Sequence, residues 1–258
     1  MKKIGIMQPY FFPYLGYISL IKHTDEFMLF DPVQFIRHGW IERNRILKPG
    51  EGWQYIQVPL QKHSLTTDIK DIKIDNTQNW RVKLLSQLQH YKKKSPYYKE
   101  TIEVVENGIS KEADSITKLN FNTLKSVCDY LKIPFNCSIY SERNLAIEEV
   151  KAPDEWALNI CKALGYREYW NPPGGMEFFD GEKYNKAGIK LVFQKPVLEF
   201  YSQRRGAENF EPGLSVIDVM MFNHPEQINK MLDNFELIVS KQSHLAQVLV
   251  NKKFGNIK

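Results

Sequence analysis

Cysteine is scarce in this chain of 258 residues: there are three, Cys128, Cys137 and Cys161, an odd number with no CxxC spacing. That argues against a disulfide scaffold and points to a reducing, cytoplasmic setting. The six histidines form neither HxH nor HExxH, and no Cys/His group has zinc spacing, so no metal is expected. Gly-x-Ser-x-Gly and Walker-type loops are both missing, which weakens the serine-hydrolase and kinase readings. No segment approaches the ~20 uninterrupted apolar residues of a membrane span. The apolar run after Met1-Lys2-Lys3 is interrupted by Gln8, Pro9 and Pro13, unlike a signal peptide. Positive charge is in slight excess, +5, and mostly interleaved with acids, so a nucleic-acid partner is not expected. There is no internal repeat, low-complexity tract or Gly/Ser-rich linker.

What the chain has is aromatic side chains, 13% of its residues, a class suited to surfaces that are both apolar and hydrogen-bonding. They crowd the opening stretch IGIMQPYFFPYLGYISLI. KIGIM (3–7) reads as a short buried strand and LGYISLIKH (15–23) as a helix. EFMLFD (26–31) has the continuous apolar form of a central strand. WQYIQVPL (53–60) reads as a third strand and DIKI (71–74) as a weaker one. Helices follow over NWRVKLLSQLQHYKK and over SITKLNFNTLKSVCDYL, the latter with Ser115 as N-cap, while NGIS (107–110) between them reads as a loop or helix break. FNCSIYS (135–141), EYWNP and KLVFQKP read as late strands. DEWALNICKALGY reads as a helix capped by Asp154 and ended by Gly165, and LSVIDVMMFN as one capped by Ser215, with a second helix opening at Pro225. Strands that alternate with helices predict one α/β domain over 1–258, with a Rossmann-like parallel or mixed sheet and a helical insertion at about 76–133.

In such a sheet, ligands bind beyond the C-terminal ends of the strands. Gln8 and Tyr10 follow the first strand and Tyr17 lies on the first helical turn, with Gly16 between them to let backbone approach a ligand. Asp31 and Gln34 follow the second strand and should emerge on the same edge. In GWIERNRI (39–46), Trp40, Arg43, Asn44 and Arg45 set polar donors beside an aromatic ring. Arg43 and Arg45 are expected to face opposite sides, leaving one for the site. Gln8, Tyr17, Asp31, Gln34, Arg43 and Asn44 are expected to converge on one pocket. Later stretches supply further lining: Gly174 and Gly175 in a Pro/Gly-rich segment, Tyr201, Gln203 and Arg204 after a strand, and Asp218, an acid on an apolar helix that needs a partner. The SQRRG stretch (202–206) is an anion candidate through its forked donors, and the Lys92-Lys93-Lys94 run reads foremost as a solvated helix end. Should the chain be an enzyme, His90 is the first candidate for a general base, and Asp31 at the end of the second strand is the other catalytic candidate.

The stretches QPYFFPYLGYISLI and FDPVQF resemble the nucleotidylyltransferase-like α/β group that includes pantothenate synthetase. That group's His-x-Gly-His would fall on Tyr14-Leu15-Gly16-Tyr17, where both histidines are missing, so the resemblance implies a fold more than adenylylation. MQPYFFPYLGY, FDPVQF, ERNRI, LGYREYWNPPGG and GLSVIDVMMFN together resemble the WbqC-like proteins over nearly the whole chain. The resemblance implies a role in surface-polysaccharide (O-antigen, lipopolysaccharide) sugar biosynthesis. The substrate expected is a nucleotide sugar, and the activity a transferase that takes an acyl or aminoacyl group from a donor to the sugar's amine. The alternatives are a non-catalytic protein that binds a sugar nucleotide or a partner, and a degenerate nucleotidylyltransferase-like enzyme. Where the family pattern has two acids before Val-Gln-Phe, this chain has Asp31-Pro32.

Overall fold

A computed structural model describes residues 1–110, 112–240 and 247–250. The chain opens with β1 (Lys3–Met7), α1 (Leu15–His23) and β2 (Glu26–Leu29), then a hairpin of β3 (Arg43–Leu47) and β4 (Trp53–Gln57). Three helices follow, α2 (Trp80–Leu88), α3 (Tyr98–Ser110) and α4 (Ile116–Leu131), before β5 (Cys137–Ile139). The remainder is α5 (Glu155–Leu164), β6 (Glu168–Asn171), α6 (Gly181–Lys186), β7 (Lys190–Pro196), α7 (Val216–Phe222), α8 (Pro225–Leu232), β8 (Phe235–Val239) and β9 (Gln247–Val250).

The strands form a seven-stranded sheet in the order β5-β2-β1-β6-β7-β8-β9. The first five are parallel and β8 and β9 are added antiparallel, so the fold is mixed α/β of Rossmann-like character. From β1 the chain moves outward through β2 to β5, then returns to the other flank of β1 for β6 and β7. The direction of travel reverses between β1 and β6, and a crevice outside the carboxyl ends of these two strands is where such sheets take ligands.

The alternation of side chains along the strands sorts two cores. Ile4, Ile6, Met28, Tyr169, Leu191 and Phe193 meet α5 and α6 on one face. Phe27, Leu29, Trp170 and Val192 meet α1 and the remaining helices on the other. At Gly5 a Cβ would lie 2.8 Å from the Phe27 ring of β2, so glycine leaves room for that ring over β1. No helix among the described residues is long and apolar enough to cross a membrane.

Several local expectations change. WQYIQVPL belongs to the separate two-stranded hairpin rather than the main sheet. DIKI is not a strand: its first residue, Asp71, ends a 3-10 turn (Ile69–Asp71), and residues 73 and 74 make only isolated bridges. NGIS is no break; it forms the last turn of α3, and Gly108 is there because a Cβ would lie 3.1 Å from Thr123 Cα on α4. Helices α2–α4 occupy 80–131, inside the insertion expected at 76–133, and share their core with α1, α7 and α8. Asp154 does not cap α5; its carboxylate takes the Lys183 ammonium at 3.1 Å.

Candidate functional site

The turn after β1 is held by buried polar groups. Tyr17, with no exposed surface, donates its hydroxyl to the Gln8 carbonyl at 2.9 Å. Asn44 donates from Nδ2 to the carbonyls of Phe11 (3.0 Å) and Phe12 (3.1 Å), while Asn120 donates to Pro9 (2.8 Å) and Ile41 (2.9 Å). Ser215, the N-cap of α7, donates to Phe12 O at 2.7 Å. These donors satisfy the carbonyls of an irregular turn that could not otherwise be buried. Phe12 takes a left-handed φ of 39° within it. Gly16 has a different use from the one expected: the space a Cβ would need is filled by the ring of Tyr14, not offered to a ligand.

Two cavities open at the reversal point, of about 1010 Å³ and about 740 Å³. They share Met7, Tyr10, Asn171 and Gly175 as a common wall. The larger is mostly apolar, with an aromatic group of Phe30, Trp156, Tyr169 and Phe179, and takes Gln8, Gln34 and Lys151 as polar groups. The smaller carries Arg45 and Lys195 beside Tyr14, Trp40 and Gly174. Burial raises the Tyr10 and Tyr14 hydroxyls above their ordinary range, so at neutral pH both are neutral donors.

Arg43 and Arg45 share one face of β3, as alternate strand residues must, with Asn44 on the other; the expectation of opposite sides is corrected. What separates them is their support. Arg43 stacks over Tyr55 at 4.0 Å and donates to His38 O and Gly39 O, away from both cavities. Arg45 lies between Trp40 (5.4 Å) and Trp53 (5.2 Å), and its Nε is buried without a partner. Two aromatic rings and a bond from Arg45 to Gly213 O at 3.4 Å hold the guanidinium in place, and its unpartnered Nε–H is left for a ligand.

Of the residues singled out in the sequence, Gln8, Tyr10, Gln34, Trp40, Asn44, Arg45, Gly174 and Gly175 line this crevice, and Tyr17 braces it from behind. The others lie apart. Asp31 is 1% exposed and accepts from Ser141 N (3.1 Å) and Ser141 Oγ (2.7 Å), tying the end of β2 to the turn after β5. Burial pushes its carboxyl up, and neither cavity includes it. Asp218 is completely buried and accepts from Tyr91 and Tyr201, both at 2.6 Å, and from Gln203 at 3.0 Å. Its carboxyl is pushed up to about 6 by that burial. Tyr91 also accepts from Leu47 N at 2.9 Å, so the cluster anchors β3. Arg204 is exposed, with a left-handed φ of 56°, and it is Arg205 that turns inward. His90 packs on Tyr91 and shares its Nδ1 hydrogen with Gln87 O at 2.7 Å; burial lowers its basicity, and Asp31 is not among its partners. Among the described residues no three His, Cys, Asp or Glu gather to hold a metal. Trp156, Phe179, Asn171 and Lys195 were not expected in the crevice by name, and of the two arginines in GWIERNRI it is Arg45 that reaches it; EYWNP ending a strand was the signal for Asn171.

The WbqC-like protein family matches residues 8–230 of the chain. The chain is similar to Uncharacterized protein Rv1507c of Mycobacterium tuberculosis, 28% identical over 226 residues, spanning 86% of this chain and 94% of that protein. No solved structure matches.

Proposed function

Because the chain belongs to the WbqC-like protein family, we propose that it acts on a nucleotide-linked amino sugar in surface-polysaccharide biosynthesis, transferring an acyl or aminoacyl group to the sugar's amine. One observation supports this reading above others: an aromatic cavity and a cationic cavity meet at a shared wall of Tyr10, Asn171 and Gly175. Stacking on Tyr10, Phe30 and Trp156 suits a base or sugar ring, and Arg45 with Lys195 suits a diphosphate. Gln8, Gln34 and Asn171 would meet hydroxyl and amide groups.

The alternative, a protein that binds the sugar nucleotide without turning it over, draws on a second observation. Neither cavity is lined by an Asp, Glu, His or Cys among the described residues, leaving Tyr10, Tyr14, Tyr169, Lys151 and Lys195 as the titratable groups at hand. A transferase would then work by positioning and charge stabilisation more than by a carboxylate or imidazole base.

Isothermal titration with UDP-, dTDP- and GDP-linked amino sugars, followed by mass spectrometry of mixtures with acyl and aminoacyl donors, separates the readings. The first requires a binding sugar nucleotide whose mass grows by the acyl group. Binding without turnover across a broad donor panel favours the second. Arg45→Ala should weaken nucleotide-sugar binding at least tenfold, since a charge-assisted bond contributes about 1.5–3 kcal/mol. Unchanged affinity in that variant overturns the placement of the phosphates.

A further inference from the structure

Two basic stretches of the sequence have no part in the crevice: the lysine run at 92–94 and the arginine pair at 204–205. The fold brings one member of each to a separate cavity of about 160 Å³ beside the β3–β4 turn. Lys48, Lys94 and Arg205 line it, with Gly50 of the turn and with His90 and Gln203 beneath. Among the described residues none of the three cations has a carboxylate within 4.0 Å, whereas Lys22, Lys70, Lys118, Lys125 and Lys162 each have one and Lys183 has two.

Arg205 is held in place by the turn itself, donating to Gly52 O at 2.9 Å and to Lys48 O. Two of its five N–H donors are used this way, and the rest stay available. The buried acid underneath, Asp218, gives its oxygens to Tyr91, Tyr201 and Gln203 and makes no direct contact with the three cations; its charge reaches Arg205 only from a distance and leaves Lys48 and Lys94 without a partner. Three cations around one small void repel each other unless an anion sits among them.

We propose that this cavity binds a phosphate group, either free phosphate or the phosphate of a small monoester, at a site distinct from the crevice. A guanidinium fork and two ammonium groups match a phosphate's charge and its several acceptor oxygens. At less than a quarter of the volume of the cationic half of the crevice, the cavity is sized for the phosphate and little more. Its occupant would join three segments: the hairpin turn at Lys48, the end of the 3-10 turn Gln89–Lys93 at Lys94, and the loop at Arg205.

Titration calorimetry of the full chain with inorganic phosphate and, separately, with glycerol 3-phosphate tests this. One ligand per chain should bind. The double variant Lys48→Ala, Lys94→Ala should lose well over tenfold in affinity, as two charge-assisted contacts to one anion are removed. Both lysines are exposed, so the fold should hold. Arg45→Ala should leave this binding unchanged. Tighter binding of phosphate marks the free anion as ligand, and tighter binding of the monoester marks a metabolite. No binding of either compound, full affinity in the double variant, or loss in Arg45→Ala alone overturns the proposal. Nucleotide-sugar titration of the same variants reports on the crevice independently.

Discussion

Asp218 accepts hydrogen bonds from three side chains, Tyr91, Tyr201 and Gln203, and it does so out of reach of solvent. Its folded carboxyl titrates near 6 against an ordinary 3.8, so between those values the native state keeps a proton that the unfolded chain has released. Stability therefore falls as pH rises through that window, by up to ~3 kcal/mol, and is flat in this respect above it. Denaturant unfolding at pH 4 and pH 7 should show this slope in the native chain and a smaller one in Asp218→Asn; an equal slope in both assigns the effect to other groups. Gln8 and Asp31, alike as expectations, should now part. Gln8→Ala should weaken nucleotide-sugar binding by about 1–3 kcal/mol with little change in Tm, as for any buried polar contact to a ligand. Asp31→Ala should instead cost a similar amount of stability, by leaving Ser141 unpaired, and spare binding. If melting and titration give the reverse pattern, the two roles are exchanged. The sequence could show that Asp218 needed partners. It could not show that Tyr91, 127 positions away, was one of them, because pairing across the chain leaves no local pattern.

At the scale of the element, a helix-breaking residue is used as a packing residue. Gly108 sits in the last turn of α3, where Ala would gain up to ~1 kcal/mol of intrinsic helix preference. The added methyl would press on the Thr123 backbone of α4, which cannot swing aside as a side chain can. We expect Gly108→Ala to lower Tm despite the propensity gain, and Gly108→Val to lower it further; a rise in Tm for the alanine variant would show that α3 and α4 can separate freely. This is also why NGIS read as a break: propensity records the cost of glycine in a helix but not the neighbour that requires it. Elements with a strong period were legible, among them β1, α1, α4 with its Ser115 cap, β7 and α7. Helix α6, six residues between loops, and β8, whose FELIV pairs antiparallel to β7, gave no comparable signal.

In the whole molecule, what decides the site is the order of the strands, and order is the property the sequence displays least. Gln8 and Gln34 could be placed on one edge because their strands follow each other. Asn171 joins them only because β6 returns to the flank of β1. The crevice is thus built from segments far apart in the chain, and a ligand that spans both cavities should stabilise the molecule as a unit. At a concentration 100-fold above its Kd the gain is about 2.7 kcal/mol, visible as a rise in Tm in the native chain and as a smaller one in Arg45→Ala; equal rises would place the ligand elsewhere.

The same strand order sets a problem in time. Neighbouring strands β2 and β5 are separated by roughly a hundred residues, and β1 and β6 by more, so their pairing closes very long loops. Contacts of that kind form late and slow the search for the native state. The hairpin of β3 and β4 and the α3–α4 pair are local and can form first. The centre of the sheet, where the ligand crevice lies, is then completed near the end of folding. A newly made chain would acquire its helical flank before it acquires any capacity to bind.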